Sequence, residues 1–238
     1  MYQTVEAIVI KGFDYSETSR IFTLFSREEG RLSAIAKGVK KPKSALAATM
    51  QLGNRVEVVL SRGRSMDTVT QAQLLDGYAH VRANARLYMT VCYCFELVSA
   101  ALPERAAQPE LYDDLACLLT AAATQPVEAL TRWFELRLLD QAGYRPDFEH
   151  CDRCGAALST GYISPAREGV VCGDCGGGYA LTPKELYALK FFQNSPAALL
   201  PRLKTDEQTM KQLARATRHL LDYSLERRLR SVRILDEL

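Results

Sequence analysis

The 238-residue chain has no apolar run of 18 residues, which argues against a membrane-spanning helix. Its first residues, MYQTVEAIVIKGF, lack the charged start, long apolar stretch and small-residue cleavage site of a signal peptide. The chain contains no G-x-x-x-x-G-K-[ST] motif, which disfavours an ATP-driven motor. Only three histidines occur, and none is placed like a catalytic base. We therefore expect a cytoplasmic protein that is not an enzyme.

Five short segments rich in β-branched and aromatic residues lie within residues 1–80. Gly, Ser and charged breaks separate them at roughly ten-residue spacing, which is typical of strands. The segments are 4–13, 18–26, 31–39, 54–62 and 67–75. Gly30, in the connection between the second and third, can take the left-handed conformation that a hairpin turn often needs. Five strands in so short a stretch predict a small barrel, either an oligonucleotide/oligosaccharide-binding (OB) fold or an SH3-like barrel.

From Asn84 onward the apolar residues recur at helical spacing instead. This pattern predicts helices around Leu87–Val98, Leu111–Leu119 and Val127–Leu138, then from Pro183, and from Asp206 to about Ile234. The segment between Gly143 and Thr182 interrupts the pattern. The predicted class is α+β and multidomain: an OB-fold barrel at 1–80, then an all-α domain at 81–238 with an inserted module at about 148–180.

Two Cys-x2-Cys pairs lie in the interrupting segment. Their members are Cys151, Cys154, Cys172 and Cys175. Each pair can form a tight turn that directs two thiolates to one point, so the spacing predicts one structural zinc ion with four Cys ligands. Free thiols, two disulfides or an iron–sulfur cluster are the alternatives. Cys92, Cys94 and Cys117 lie in helix-like apolar stretches and are expected to be buried.

Basic residues are concentrated near the start of the chain. Residues 1–80 hold 11 Lys and Arg against 8 Asp and Glu, whereas the remainder holds 19 against 20. The stretch AIAKGVKKPKSAL carries four lysines without an acidic neighbour in sequence, which favours contact with phosphates over base readout. The predicted DNA-binding residues are Lys37, Lys40, Lys41, Lys43, Arg20, Arg31, Arg62 and Arg64. The alternative is a solvated surface loop.

These features together resemble the RecO family of bacterial DNA repair proteins, over nearly the full chain. The most specific elements are Ser16–Ser19, Gly30–Leu32, Ala36–Gly38 and the block from Phe134 to Cys154. The resemblance implies an N-terminal OB fold, a C-terminal helical domain and a four-cysteine zinc module. It also implies a nucleoid-associated protein that binds single- and double-stranded DNA and anneals strands. The implied partners are RecR and the single-stranded-DNA-binding protein, and indirectly RecA, which such a mediator helps to load.

A partner site is expected on one helix, where Arg132 and Arg137 flank Trp133 and Phe134. Cations beside an exposed apolar groove would capture the acidic, aromatic-ended tail of the single-stranded-DNA-binding protein. The alternative is a pair of solvated arginines that cover core aromatics.

Other residues stay unassigned or support rival functions. The aromatics Phe13, Tyr15, Phe22 and Phe25 are available for base stacking, but small barrels usually bury aromatics. The arginines Arg227, Arg228, Arg230 and Arg233 lie on an amphipathic C-terminal segment. A metal-dependent nuclease would have to use Asp113 and Asp114, or Asp152 and Asp174. A zinc-stabilised protein-interaction adaptor with incidental DNA contact is the third possibility.

Overall fold

The computed structural model describes residues 1–163 and 169–225. The chain divides into two compact units, one containing Met1–Thr120 and the other beginning at Ala121. The arginines Arg227, Arg228, Arg230 and Arg233 lie outside the described residues. Within the described ranges, no helix combines the length and apolar character needed to cross a membrane.

The first unit contains a closed five-stranded barrel. Its strands are β1 (Tyr2–Asp14), β2 (Arg20–Ser26), β3 (Gly30–Ala36), β4 (Arg55–Ser61) and β5 (Asp67–Asp76). They close in the order β1-β2-β3-β5-β4, with β3 parallel to β5 and every other pair antiparallel. This arrangement is that of an OB fold. The predicted OB fold is therefore confirmed, and the chain does not form the SH3-like barrel that was its alternative.

Alternate residues of the strands fill the barrel, as a two-residue period requires. The core residues include Val5, Ala7 and Val9 of β1, Leu32, Ala34 and Ala36 of β3, and Val56, Val58 and Leu60 of β4. β1 reaches both neighbours because it is long: its first half pairs with β4 and its second half with β2, with a register shift between Val9 and Lys11. Such bulges bend a strand and increase its twist, which helps to close a barrel.

Four helices complete this unit. They are α1 (Ala45–Thr49), α2 (Ala79–Ala83), α3 (Ala85–Ala101) and α4 (Pro109–Ala121). Asn84 caps α3, since its side-chain oxygen accepts from the Leu87 N–H at 3.0 Å. The α3–α4 connection runs beside β3, where the Arg105 N–H donates to the Arg31 carbonyl at 2.7 Å. Gly30 has φ of +70°, which confirms the left-handed conformation expected at this hairpin.

The second unit is mainly helical. Its helices are α5 (Val127–Gln141), α6 (Pro183–Asn194) and α7 (Glu207–Leu225), with a 3-10 turn at Ala197–Arg202. Thr182 and Glu185 form a capping box at the start of α6. Between α5 and α6 lies a small sheet in the order β7-β6-β8, made by Gly161–Ile163 (β6), Val170–Val171 (β7) and Tyr179–Leu181 (β8). This sheet carries the two cysteine pairs.

The compact unit that contains the barrel extends beyond residue 80, because α2, α3 and α4 belong to it. The sequence predicts a DNA-binding domain at 1–80 and a helical domain at 81–238. These boundaries describe function as well as structure, and they stay a prediction.

Candidate nucleic-acid interface and metal centre

The four cysteines of the two pairs converge on one point. Their sulfur atoms all lie within 4.8 Å of one another, and Cys154 Sγ is 3.8 Å from Cys172 Sγ. In a tetrahedral zinc site with zinc–sulfur bonds of about 2.3 Å, sulfurs are separated by roughly 3.8 Å. All four are free thiols, so the two-disulfide alternative is not what the structure contains. The donor set and its spacing fit a single four-coordinate metal ion.

Tight turns at the cysteine pairs hold the sulfurs in place. The Gly155 N–H donates to the Cys151 carbonyl at 2.8 Å, and the Cys175 N–H donates to the Cys172 carbonyl at 3.1 Å. The Cys172 N–H donates to Cys151 Sγ at 3.3 Å. Burial raises the pKa of the Cys151 thiol, but the N–H groups directed at its sulfur outweigh burial and lower this pKa to about 6. The backbone thus favours a thiolate at Cys151, the form that binds a metal.

The second candidate site is the outer face of β1, β2 and β3. The Cβ position of Gly12 faces the ring of the core residue Phe22, so its neighbours Lys11 and Phe13 point outward. Across the strands, Lys11 is in register with Thr23, and Thr23 with Ser33. The next row is Phe13, Ile21 and Ile35. Tyr15 and Lys37 directly follow β1 and β3, and the Tyr15 N–H donates to the Ser19 carbonyl at 3.0 Å, so the strand pairing continues and the two residues lie at the end of this outer face. In OB folds generally, the face of strands 2 and 3 and its flanking loops bind oligonucleotides.

Three of the four predicted loop lysines are available to a ligand. Lys37, Lys41 and Lys43 are exposed, and none has an ion-pair partner within residues 1–163 and 169–225. Lys37 extends the outer face, and the other two lie on the loop that follows β3. These lysines can therefore reach phosphates without first breaking an ion pair.

Lys40 and Arg20 differ from those three. Asp14 lies 2.7 Å from Lys40 Nζ and 2.6 Å from Arg20 Nε. The hydrogen bond from Lys40, and then that from Arg20, lower the pKa of the Asp14 carboxyl. The lysine stretch has no acidic neighbour in sequence, but the β1–β2 hairpin brings Asp14 next to Lys40 in the folded chain. The expectation that no carboxylate neutralises these lysines is therefore wrong for Lys40.

Arg31 and Arg62 are held by the protein itself. Arg31 is half-buried and donates from Nε to the Leu102 carbonyl at 3.1 Å. Arg62 pairs with Glu29 and lies 3.5 Å from Asp67, which also binds Arg105 at 2.6 Å. Both arginines are engaged, so DNA contact by either one would require rearrangement of these bonds.

Arg64 is the one predicted arginine for which the described residues provide no ion-pair or hydrogen-bond partner. It is exposed on the β4–β5 loop. With Ser33, Arg62 and Arg105 it lines a groove of about 590 Å³. Ser33 belongs to the outer face, so the groove continues that face toward the β4–β5 loop.

The predicted partner site on α5 is not an exposed groove. Arg132 is buried and pairs with Glu135 at 2.8 Å, while Glu135 also accepts a hydrogen bond from Thr217. Trp133 and Phe134 are buried too. The expectation that Arg132 lies beside an exposed apolar groove formed with these aromatics is therefore wrong. Arg137 is half-buried, and its role in binding an acidic tail stays a prediction.

Sequence reasoning missed several features of these sites. Lys11 was not singled out, and strand alternation could not have found it: Val5, Ala7 and Val9 face the core, and only the register shift between Val9 and Lys11 turns Lys11 and Phe13 outward. Phe22 and Phe25 are buried as expected of small barrels, but Phe13 and Tyr15 are exposed. Cys94 is buried as expected, but Cys92 is only half-buried and Cys117 is exposed.

Within the described residues, the four cysteines are the one group of three or more metal-ligating side chains close enough to share an ion. Of the acidic residues considered for a nuclease, Asp113 pairs with Arg27 at 2.9 Å on the surface. The described part of the chain thus contains no group of three or more carboxylates placed to share a metal ion.

Two family models match the chain almost end to end. The model described as Recombination protein O N terminal matches residues 1–78. The model described as Recombination protein O C terminal matches residues 82–233.

Curated relatives agree with these matches, and each of the following is named DNA repair protein RecO. The relative from Pelotomaculum thermopropionicum is 35% identical over 237 residues, covering 97% of this chain and 92% of its own. The relative from Syntrophomonas wolfei is 33% identical over 220 residues, covering 90% of this chain and 87% of its own. That from Dehalococcoides mccartyi strain 195 is 30% identical over 238 residues, covering 98% and 94%.

Proposed function

The chain belongs to the recombination protein O (RecO) family of DNA repair proteins, and from this premise we propose that it is a non-enzymatic, DNA-binding recombination mediator. The observation that carries the proposal is the outer face of the OB barrel with its unpaired cations. Lys11, Lys37, Lys41, Lys43 and Arg64 are all exposed, and none is neutralised within the described residues.

The proposed mechanism is strand annealing by charge neutralisation. Ammonium groups bind phosphates as point charges without reading the bases, so these cations suit any DNA sequence, single- or double-stranded. Two strands held on one cationic surface repel each other less, and base pairing between them then supplies the free energy of annealing. No nucleophile or nucleotide hydrolysis is required by this mechanism. The protein would act with RecR on strands covered by the single-stranded-DNA-binding protein and so help to load RecA near the nucleoid.

For the metal centre we propose one zinc ion with a structural role. A single ion explains the roughly tetrahedral sulfur spacing at Cys154 and Cys172. An iron–sulfur cluster, whose thiolates bind different irons, would hold some of the sulfurs further apart. Four thiolates leave no open coordination position for a substrate, so the ion would stabilise the module rather than take part in a reaction.

An annealing assay with labelled complementary strands in Mg²⁺ and Mn²⁺ tests the function. The proposal expects faster annealing with both strands recovered intact. Cleaved strands would instead indicate a metal-dependent nuclease. DNA binding that appears only when a partner protein is added would favour the adaptor.

A further inference from the structure

Two aromatic side chains project into solvent from one end of β1. Phe13 is 47% exposed and Tyr15 is 64% exposed, and they are two residues apart, on the same outward side of the chain. Neither ring contacts another aromatic ring among the described residues. Large exposed apolar side chains cost free energy in water, so a pair of them on a functional surface indicates a ligand.

Two unpaired lysines share the outer face with this pair. Lys11 precedes Phe13 by two residues on the same face, and Lys37 directly follows β3 at the end of that face. Neither lysine is ion-paired within residues 1–163 and 169–225. Aromatic rings between unpaired cations match the chemistry of single-stranded DNA, because the rings stack on bases while the ammonium groups bind the phosphates on either side.

The spacing between the two rings, at the end of β1 and one residue beyond it, further selects single-stranded over double-stranded DNA. Residues two apart on a strand are separated by roughly 6.6 Å, about twice the spacing of about 3.4 Å between bases in a duplex. Two rings at this distance can each meet a base only where the bases are unstacked from one another. A duplex keeps its bases inside the stack, so it can offer this surface only phosphates.

We infer that Phe13 and Tyr15 form a base-stacking platform that gives the protein a preference for single-stranded over double-stranded DNA. This inference rests on the proposed DNA-binding function and names the residues that would recognise unpaired bases.

The test compares three ligands: an oligo(dT) strand, an abasic strand of the same length and a hairpin duplex. Binding of each is measured by fluorescence anisotropy for Phe13→Ala, Tyr15→Ala and the double variant. Each single variant is expected to weaken oligo(dT) binding about tenfold while leaving the abasic strand and the duplex unchanged. The salt dependence should not change, because no charge is removed.

Tyr2→Ala is the matched control, because Tyr2 is an aromatic residue at the other end of β1 and is 70% exposed. Phe13→Tyr, which keeps a ring, should bind oligo(dT) like the wild type. Equal losses on oligo(dT) and the abasic strand, or unchanged binding of all three ligands, would overturn the inference; in the second case the rings would be a protein-contact surface. A wild-type protein that binds none of the three ligands would instead overturn the proposed function itself.

Discussion

Asp14 Oδ2 accepts a hydrogen bond from Lys40 Nζ at 2.7 Å, which joins the β1–β2 hairpin to the basic loop after β3. The backbone strengthens this link, since the Lys40 N–H donates to the Thr18 carbonyl at 3.0 Å. Asp14 also binds Arg20, so one carboxylate neutralises two of the cations predicted to contact DNA. Fewer cations are therefore free to bind phosphates than the sequence suggests, because Asp14 pairs with two of them.

Asp14→Asn should strengthen binding to single-stranded DNA, because it frees Lys40 and Arg20 for phosphates. Each additional phosphate contact steepens the slope of log affinity against log salt by about 0.7, so a salt series measures the effect. Because the pKa of Asp14 is lowered, the wild-type ion pairs persist throughout the neutral range and are lost only as the pH falls through that lowered pKa.

Glu57→Gln is the control for this change, because Glu57 is an exposed carboxylate on β4 of the same barrel. Equal gains in the two variants would mean that overall charge, and not release of Lys40 and Arg20, explains the effect.

Replacement of Cys172 by serine should abolish stoichiometric metal binding and unfold the cysteine module. Structural zinc contributes on the order of 10–16 kcal/mol of apparent binding free energy to such modules. Elemental analysis should find one zinc per chain in the wild type, and limited proteolysis should cut the variant within residues 148–180. Cys117→Ser, which changes an exposed thiol outside the cluster, should retain the metal. A well-folded, metal-free wild-type protein would contradict the zinc assignment.

Arg132→Ala should destabilise the second unit by about 3–5 kcal/mol, because it removes the cation that pairs with the buried carboxylate of Glu135 at 2.8 Å. Chemical denaturation measures this loss. The double variant Arg132→Met with Glu135→Leu should be less destabilised than Arg132→Ala, since it removes both charges and refills the space. If Arg132→Ala unfolds at the wild-type denaturant concentration, Arg132 is not held in a buried ion pair.

Gly30→Ala should destabilise the barrel more than Gly38→Ala does. Both glycines have positive φ, a conformation that costs other residues about 1–2 kcal/mol. At Gly30 a Cβ atom would also overlap the Ala106 carbonyl, whereas at Gly38 it would meet only the flexible Lys41 side chain at 3.6 Å. Thermal unfolding compares the two, and equal melting temperatures would show that the α3–α4 connection does not pack against Gly30.

The strands and the cysteine site were predictable because their determinants are local. Content of β-branched and aromatic residues between Gly, Ser and charged breaks marks all five strands, and two-residue spacing within each Cys pair fixes the turns that direct the sulfurs. The sequence did not distinguish the OB fold from the SH3-like barrel, because the two differ in strand order. That order depends on pairings between distant segments, such as Ala34 with Asp67.

The state of the charges could not be predicted in the same way. Lys40 and Asp14 are 26 residues apart, and they meet only because the hairpin folds back on the loop. Arg132 and Glu135 are close in sequence, but their burial depends on the packing of α5 with other helices of its unit. Exposure of Phe13 likewise depends on where β1 ends relative to the helices that cover its earlier residues.

The most direct test of the account is a salt series on a labelled single strand with the variant Lys37→Gln, Lys41→Gln, Lys43→Gln. The matched control is Lys184→Gln, Lys204→Gln, Lys211→Gln, which removes the same charge from the second unit. We expect the first variant to bind more weakly and to flatten the slope of log affinity against log salt by about 2, which is three contacts at about 0.7 each. The control should keep the wild-type slope. Unchanged affinity and slope in a folded first variant would contradict the claim that this end of the barrel binds DNA.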